Sequence, residues 1–401
     1  MLPTERRASA SLALIFALRM LGLFLVLPVF ALEAAKYPGG DNPAWVGLAM
    51  GIYGLTQGLL QIPFGMASDR FGRKRVIVIG LIIFAAGSLL AASASTLPWL
   101  LAGRALQGAG AVSAAVTALL ADFTRDSVRT KAMALVGASI GLVFALSLVV
   151  APPLAAAIGL SGLFALTGVL AVTGIGVVVW VVPPAPDQVS AQRAGLGRVL
   201  ADRALMRLNF GVFVLHAVQL AMWVAVPALL VQAGLAQGAH WQVYLPAVLL
   251  SFAAMGAVFA MERRGHLRAV FLVSIGLILL AQLGFGWLSQ DGMNSADGLG
   301  VLPLAVLLFV FFCGFNALEA TQPSLVTRFA PTASRGAALG VYNTLQSLGF
   351  FAGGALGGWL AKHWGPQGLF AACSVAMALW LAVAWGMRAP TNVPAHLSAT
   401  M

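Results

Sequence analysis

Charged side chains are scarce in this sequence. Of its 401 residues only 9% are Asp, Glu, Lys or Arg, whereas 60% are hydrophobic and the mean hydropathy is +0.94. In an ordinary soluble domain about a quarter of the residues are charged. The composition therefore excludes such a domain and indicates a chain that lies largely within a lipid bilayer.

Cysteine and lysine are scarce as well. The two cysteines, Cys313 and Cys373, both lie in apolar stretches, so they indicate no disulfide framework. None of the four lysines follows a glycine, which excludes the GK[ST] core of a phosphate-binding loop and hence ATP-driven work by this chain alone. The sequence predicts no cofactor, no metal site and no enzymatic activity.

Long apolar runs, by contrast, fill the sequence. Runs of about 18 or more residues with few charges predict membrane-spanning helices, since each can cross about 30 Å of hydrocarbon. Twelve such runs cover residues 11–34, 45–68, 75–94, 98–121, 132–157, 162–183, 207–233, 244–262, 269–288, 300–325, 337–361 and 367–388. The predicted fold is an all-α membrane protein of twelve transmembrane helices.

The basic residues are distributed unevenly. With the N-terminus placed in the cytoplasm, 19 of the 23 lysines and arginines fall in cytoplasmic loops, span ends or termini, and the outer loops hold only Lys36 and Lys362. This bias is typical of membrane proteins, so it predicts that both termini are cytoplasmic. Membrane topology therefore accounts for the net charge of +11, and no nucleic-acid partner is needed to explain it. The first run is too long for a cleaved signal peptide, and the preference for arginine over lysine suggests a bacterial inner membrane.

The twelve runs divide into two equal sets. The longest hydrophilic stretch, residues 183–203, separates six runs from six. The halves also resemble each other: SGLFALTGVLAV from Ser161 is echoed 206 positions later by QGLFAACSVAMA, and TKAMAL from Thr130 is echoed 204 positions later by SRGAAL. The sequence predicts a six-helix half over 1–183, a cytoplasmic linker over 184–206, a second half over 207–388 and a cytoplasmic tail over 389–401.

Two motifs resemble those of a known family. GMASDRFGRKR resembles the loop 2–3 signature of the major facilitator superfamily, through Gly65, Asp69, Arg70, Gly72, Arg73 and Lys74. LLAGRALQGAGAVSAA resembles its fourth-helix signature, through Arg104, Gln107, Gly108 and Gly110. Further segments across nearly the whole chain resemble a drug-efflux-like branch in which a small soluble domain follows helix twelve; we expect this chain to lack that domain. The antiporter signature of helix five has a Gly before Pro, whereas Ala151 precedes Pro152 here.

The charged turn has a mechanical interpretation and a family-derived one. The seven residues from Asp69 to Arg75 are expected to reverse the chain, with Gly72 supplying the backbone freedom and Gly65 a close helix contact. The resemblance implies a relay of Asp69, Arg73 and Asp122, in which Asp69 meets the start of helix eleven, near Ala337, in the outward-facing state. Alternatively these charges only set the topology.

Four ionisable residues lie well inside predicted spans, where they are costly and often functional. They are Arg19, Arg104, His216 and Glu319, in helices one, four, seven and ten. The resemblance implies that these helices surround a central cavity. Glu319 and His216 are the proton-carrier candidates, because burial favours a neutral carboxyl and histidine titrates near neutrality. The cavity candidates are Arg19, Arg104, Gln107, Gln57, Gln61, Asn316, Tyr342, Asn343 and Gln346. Each ionisable residue also has a purely structural alternative, as a satisfied core side chain.

The predicted function is proton-coupled efflux of small amphipathic or drug-like compounds by a monomer. An alternative is transport of a metabolite such as a sugar or an organic anion, which the paired Arg19 and Arg104 would suit. A non-transporting membrane receptor is a third class. The glycine-rich stretches around Gly137 and Gly141, and over 349–359, are interpreted as helix-packing surfaces.

Overall fold

A computed structural model describes residues 2–184, 196–290, 300–331 and 334–387. Its helices are α1 Pro3–Phe24, α2 Leu27–Ala34, α3 Pro43–Phe71, α4 Arg73–Ala92, α5 Leu97–Ala109, α6 Ser113–Phe123, α7 Asp126–Gly176, α8 Leu196–Ala201, α9 Arg203–Gln232, α10 Trp241–Arg263, α11 Leu267–Leu288, α12 Val301–Phe329 and α13 Arg335–Trp385. A π-helical turn, Val177–Val181, extends α7, and a 3₁₀ turn, Gln237–Ala239, precedes α10.

These helices make twelve membrane spans. The first span is α1 with α2 and the fourth is α5 with α6, each broken by a short irregular segment. Two long helices, α7 and α13, contain two spans each, because the chain turns at a glycine inside them. Within the described ranges, nine helical stretches meet the length and apolarity of a membrane span. The two double-span helices and the more polar α3 complete the predicted twelve.

The two double-span helices turn in the same way. Gly159 in α7 has φ 66° and ψ −177°, and Gly365 in α13 has φ 65° and ψ −173°. Both lie in the positive-φ region that favours glycine. They are 206 positions apart, the spacing of the sequence echo around Ser161. The predicted duplication therefore has a structural counterpart at the hairpin that ends each half.

Helix ends differ from the predicted spans by a few residues, and two differences have identifiable causes. The first helix begins at Pro3, where the Glu5 carboxylate accepts a 2.6 Å hydrogen bond from the Leu2 amide. α9 begins at Arg203, inside the predicted linker, because the Asp202 side chain caps the amides of Ala204 and Leu205. Residues 185–195 of the linker, Arg388 and the 389–401 tail lie outside the described residues.

Tryptophans mark both ends of the bundle. We call the end with the Gly72 turn the basic end, and the end with the 35–42 loop and Gly159 the opposite end. Trp45, Trp99, Trp241, Trp287, Trp359 and Trp364 are exposed at the opposite end, and Trp180 and Trp385 at the basic end. Exposed tryptophans at this level are typical of membrane–water interfaces.

Among the residues that the structure describes, the two halves share an apolar core toward the opposite end and not at the basic end. One apolar cluster combines Phe30, Phe144 and Leu148 of the first half with Trp223 and Phe312 of the second. A separate cluster nearer the basic end, which contains Leu12, Phe16, Val76, Leu119 and Val136, draws on the first half alone. The halves are therefore closed against each other at the opposite end and apart at the basic end.

A glycine seam between α3 and α13 closes the opposite end. On α3 it comprises Gly47, Gly51, Gly54 and Gly58, and on α13 it comprises Gly354, Gly358 and the backbone of 344–351. A methyl group added at Gly51 would lie 2.7 Å from the Phe351 carbonyl oxygen, so the two backbones are in direct contact. At Gly58 the nearest atoms are already side-chain carbons of Leu348, 3.2 Å away, and the seam ends there.

Two glycine predictions fail because the halves are apart at the basic end. A methyl group at Gly65 would make only an ordinary 3.5 Å contact, with Ala114 of the same half, so Gly65 supports no close helix approach here. Methyl groups at Gly137 and Gly141 of α7 would meet no atom within 4 Å. On α13, in contrast, Gly349 packs on the backbone of Phe213 in α9, at 2.5 Å from its carbonyl oxygen to an added methyl group.

Candidate functional site

The structure brings the two proton-carrier candidates together in the second half. His216 of α9 and Glu319 of α12 lie 3.1 Å apart, from Nε2 to Oε1. The His216 side chain is 2% exposed and that of Glu319 is 33% exposed. Gln346 of α13 places its Nε2 2.7 Å from the same imidazole nitrogen. Three helices thus converge on one histidine.

The other ring nitrogen of His216 fixes its tautomer. Nδ1 lies 2.9 Å from the Val212 carbonyl oxygen, which is only an acceptor, so Nδ1 carries a proton. In the neutral ring Nε2 is then the acceptor, and the Gln346 amide donates to it. Oε1 of Glu319 lies 3.1 Å from the same nitrogen, but it has no hydrogen-bond partner among the described residues. Because the backbone holds Nδ1–H, Nε2 is the ring nitrogen that faces Gln346 and Glu319.

Other predicted cavity residues of the second half surround this group. The Tyr342 hydroxyl is 3.4 Å from Oε1 of the buried Gln322. Asn316 donates from Nδ2 to the Ser251 hydroxyl of α10 at 2.8 Å. Asn343 is half-buried, and its backbone carbonyl accepts the Ser347 hydroxyl at 3.0 Å.

Arg19 is buried, at 1% exposure, among neutral partners. Its guanidinium donates to the Ser113 hydroxyl and the Tyr53 hydroxyl at 2.8 Å each, and to Gln57 Oε1 at 3.0 Å. The structure therefore places Arg19 within the first half, bonded to neutral side chains and not to Glu319. Only Gln57 extends this cluster toward the second half.

Arg104 does not face the space between the halves. It donates to the backbone carbonyls of Met50 at 3.2 Å and Ala49 at 3.5 Å, and to Gln107 Oε1 at 2.9 Å. Gln107 in turn donates to the Ser88 hydroxyl at 2.8 Å. The prediction that Arg104 and Gln107 line the cavity thus does not match this conformation, in which they join spans inside the first half.

The aromatic rings around Arg104 explain how its charge is tolerated. They belong to Tyr53, Phe30 and Phe164, and their centres lie 5.0, 5.8 and 6.0 Å from the guanidinium carbon. Cation–π contacts of this kind partly replace hydration.

Two glutamines of α3 differ in their surroundings. Gln57 holds Arg19 with its oxygen and donates from Nε2 to the Ser347 hydroxyl of α13 at 3.1 Å, which links the halves. Gln61, one turn toward the basic end, is 1% exposed, and neither of its amide atoms has a hydrogen-bond partner among the described residues. Gln57 therefore belongs to the interface, whereas Gln61 is an unsatisfied buried amide.

The charged motif at the basic end forms a compact cluster. Arg73 donates from Nε to Asp122 at 3.0 Å and from Nη1 to the Ser68 hydroxyl at 2.8 Å and to Asp69. Its side chain is 13% exposed and lies between the two acids. The three residues of the expected relay are thus in contact within the first half.

The turn itself is tighter than expected. α3 continues through Asp69 and Arg70 to Phe71, and α4 starts at Arg73, so Gly72 alone reverses the chain. Its φ of 96° confirms that a glycine is needed there. Arg70 lies over the Phe71 ring, at 5.4 Å from its centre. At the start of α13 a methyl group at Gly336 would meet no atom within 4 Å, which leaves space where the sequence expected Asp69 to dock.

Sequence reasoning missed several polar residues at the site. Glu33, at the end of α2, accepts hydrogen bonds from Lys36 at 2.5 Å and from Gln237 of the second half at 3.0 Å. It is 5% exposed, so this polar contact between the halves is buried at the opposite end. Glu5 similarly binds Arg125 at 2.8 Å at the basic end and raises the pKa of that guanidinium. Glu33 stands at the end of the first apolar run, whereas Glu5 precedes that run and left no such signal.

Comparison with known proteins identifies the family to which this chain belongs. The sequence matches the family model of the Major Facilitator Superfamily over residues 12–354 and 259–400. The chain belongs to this superfamily. It is 41% identical to the inner membrane transport protein YajR of Escherichia coli strain K12, over 100% of this chain and 88% of that protein. It is 27% identical to the multidrug resistance protein MdtH of Aeromonas hydrophila, over 89% of this chain and 88% of that protein.

Solved structures show the same superfamily fold. A POT family peptide transporter in an auto-inhibited form aligns with TM-score 0.75 and 12% identity, over 97% of this chain and 99% of that one. A bacterial homologue of the human lysosomal transporter Spinster, in an inward-facing and occupied conformation, aligns with TM-score 0.70 and 14% identity, over 96% and 97%. Like other superfamily members, this chain is a multi-pass membrane transporter built from two six-helix halves.

Proposed function

We propose that this chain exports small amphipathic compounds across the bacterial inner membrane in exchange for protons, by rocking of its two halves. The observation that carries the proposal is the His216–Glu319 pair, with 3.1 Å between Nε2 and Oε1 inside a membrane span. Ionisable groups at this depth are costly, and they often mark ion or substrate pathways. The similarity to the inner membrane transport protein YajR and the multidrug resistance protein MdtH supports the same class.

The proposed orientation places the basic end in the cytoplasm. The seam and the shared core then close the outer side, and the structure corresponds to the inward-facing state. The basic residues of 70–75 lie at this end, as the positive-inside bias requires. A reporter that is active only in the cytoplasm, fused after residue 401, is expected to be active. Activity of a matched reporter that works only in the periplasm would show that the proposed orientation is wrong.

Transport in proteoliposomes tests the function directly. The purified protein is reconstituted, a pH gradient is imposed, and movement of a lipophilic dye-like probe is followed. We expect probe accumulation that requires the gradient and collapses with a protonophore. Equal rates with and without the gradient would leave a facilitative carrier and remove proton coupling.

A second candidate is transport of an organic anion. The observation that favours it is the buried guanidinium of Arg19, which has no carboxylate partner among the described residues. An uncompensated buried cation attracts negative charge. The same vesicles separate the two candidates. A transporter of organic anions would carry an anionic probe faster than a cationic probe of similar size.

The basic-end cluster is proposed to act as a latch in the opposite state. When the halves close at this end, Asp69 would meet the start of α13, where helix amides stabilise a carboxylate by up to about 2 kcal/mol, a roughly thirtyfold bias. Asp69→Asn is therefore expected to slow transport several-fold and to shift cysteine accessibility toward the inward-facing state. The control is Asp41→Asn, an exposed acid at the other end. Wild-type transport and accessibility in Asp69→Asn would exclude the latch.

A further inference from the structure

Two adjacent residues of α13 contact two different places, one in the proposed proton site and one in the other half of the molecule. Gln346 donates to His216 Nε2 at 2.7 Å, within the proposed proton site. Ser347, the next residue, accepts from Gln57 of the other half at 3.1 Å and is 1% exposed. One peptide unit therefore separates the proton site from a contact between the halves.

The Gln57–Ser347 contact lies where the halves begin to diverge. Among hydrogen bonds that join described residues of the two halves, it is one of two, and the other, Gln237–Glu33, lies at the far end of the bundle. Gln57 is also 9% exposed. Its oxygen accepts from Arg19 at 3.0 Å, and this contact fixes the orientation of the amide so that its NH₂ group donates to Ser347.

The proton site offers the Gln346 amide two acceptors. When Glu319 is protonated and His216 is neutral, the strongest acceptor for the amide is Nε2, the contact observed. When Glu319 loses its proton, a carboxylate lies 3.1 Å from the Nε2 lone pair, which is repulsive. Hydrogen bonds to a carboxylate are about twice as strong as neutral ones. Both acceptors lie around one imidazole, and Oε1 of Glu319 has no hydrogen-bond partner among the described residues.

We propose that Gln346 and Ser347 couple the protonation of Glu319 to the seam between the halves. With Glu319 protonated, Gln346 stays on His216 and Ser347 stays on Gln57, so the opposite end is closed. When Glu319 releases its proton to water on the basic side, its O–H bond breaks and a carboxylate remains. The Gln346 amide then moves from His216 to this carboxylate. The accompanying shift of α13 weakens the hydrogen bond between Ser347 and Gln57. The seam then opens toward the outside. The inference rests on the proposed function.

Few other charged groups face this pair. On α13 the titratable neighbour is Tyr342, whose hydroxyl lies 3.4 Å from Gln322. α1 contributes Arg19, which is bound to Gln57 of α3 at 3.0 Å. α10 presents the neutral Ser251, bound to Asn316. Glu262 of α10 and Arg328 of α12 bind each other at 3.0 Å at the basic end. The pH response is therefore assigned to Glu319 and His216.

Spin-label distances across the opposite end test the coupling. Asp41 and Lys362 are exposed on different halves, and cysteines placed there in a background lacking Cys313 and Cys373 carry the labels. In the reconstituted wild type, the population of separated labels is expected to rise severalfold between about pH 5 and about pH 8, where carboxyl and imidazole groups titrate. Gln346→Met, which cannot donate, is expected to flatten this rise to less than about twofold.

A matched control separates coupling from general damage. Gln282 of α11 is fully buried and neither of its amide atoms is bonded within the described ranges, so Gln282→Met makes the same chemical change away from the site and should keep the wild-type pH response. Ser347→Ala is expected to resemble Gln346→Met. If Gln346→Met keeps the full pH response while the wild type transports, the coupling inference is wrong. If the wild type shows no proton-driven transport, the proposed function itself fails.

Discussion

Replacing Glu319 by glutamine is expected to abolish transport driven by a pH gradient while downhill exchange of substrate persists. Glutamine keeps the shape of a protonated carboxyl but cannot release a proton. In the proposed mechanism Glu319 is the group through which protons reach the buried imidazole, because it lies 3.1 Å from His216 and is partly exposed. Uptake against a gradient should fall to the level of empty liposomes, with probe binding retained.

The control for this variant is another acid of the second half. Glu262 pairs with Arg328 at the basic end, outside the site, and Glu262→Gln is expected to transport at close to the wild-type rate because partly exposed pairs contribute about 0–1 kcal/mol. Continued accumulation against the gradient in Glu319→Gln would remove Glu319 as the coupling residue. His216 would then be the next candidate, tested by His216→Gln.

Much of the fold was predictable because hydropathy is a local property. The spans and the glycine turn at residue 72 each leave a signal within a few neighbouring residues, and the duplication leaves similar segments 204 and 206 positions apart. The packing role of 349–359 was also predicted, since small residues spaced along a helix allow close contact. The same reasoning failed at Gly137 and Gly141, because a sequence does not specify which conformational state a packing surface serves.

The polar network of the site was harder to predict. His216 and Glu319 were both expected to be functional, but their contact depends on how α9 packs against α12, over a long sequence separation. Tyr53 and Ser113 satisfy Arg19, and nothing near them in the sequence indicates this role. Physically, a long arginine side chain reaches partners on several helices, so its hydrogen bonds are set by tertiary packing.

The largest conformational effect is expected from filling the glycine seam. A methyl group at Gly354 would lie 2.5 Å from the Gly47 carbonyl oxygen and 2.7 Å from the Gly51 backbone. Backbone atoms cannot rotate away as a side chain does, so the α3 and α13 helices must separate. Overpacking of this kind costs about 1–3 kcal/mol, which corresponds to a roughly 5- to 150-fold shift. Gly354→Val is expected to depopulate the state closed at the opposite end, measured by the Asp41–Lys362 label distance.

The same helix supplies the matched substitution. A methyl group at Gly340, also in α13, would meet no atom within 4 Å, and its φ is not in the positive region. Gly340→Val changes helix propensity and volume just as Gly354→Val does, but it leaves the seam intact. We therefore expect Gly340→Val to keep the wild-type label distance, while Gly354→Val separates the labels at every pH.

If both variants keep the closed distance, the seam tolerates extra volume and is not what closes this end. If both open it, the response reflects a general loss of helix packing. Only a difference between them assigns closure to the backbone contact of Gly354 with Gly47, because position along the helix is the one property in which they differ.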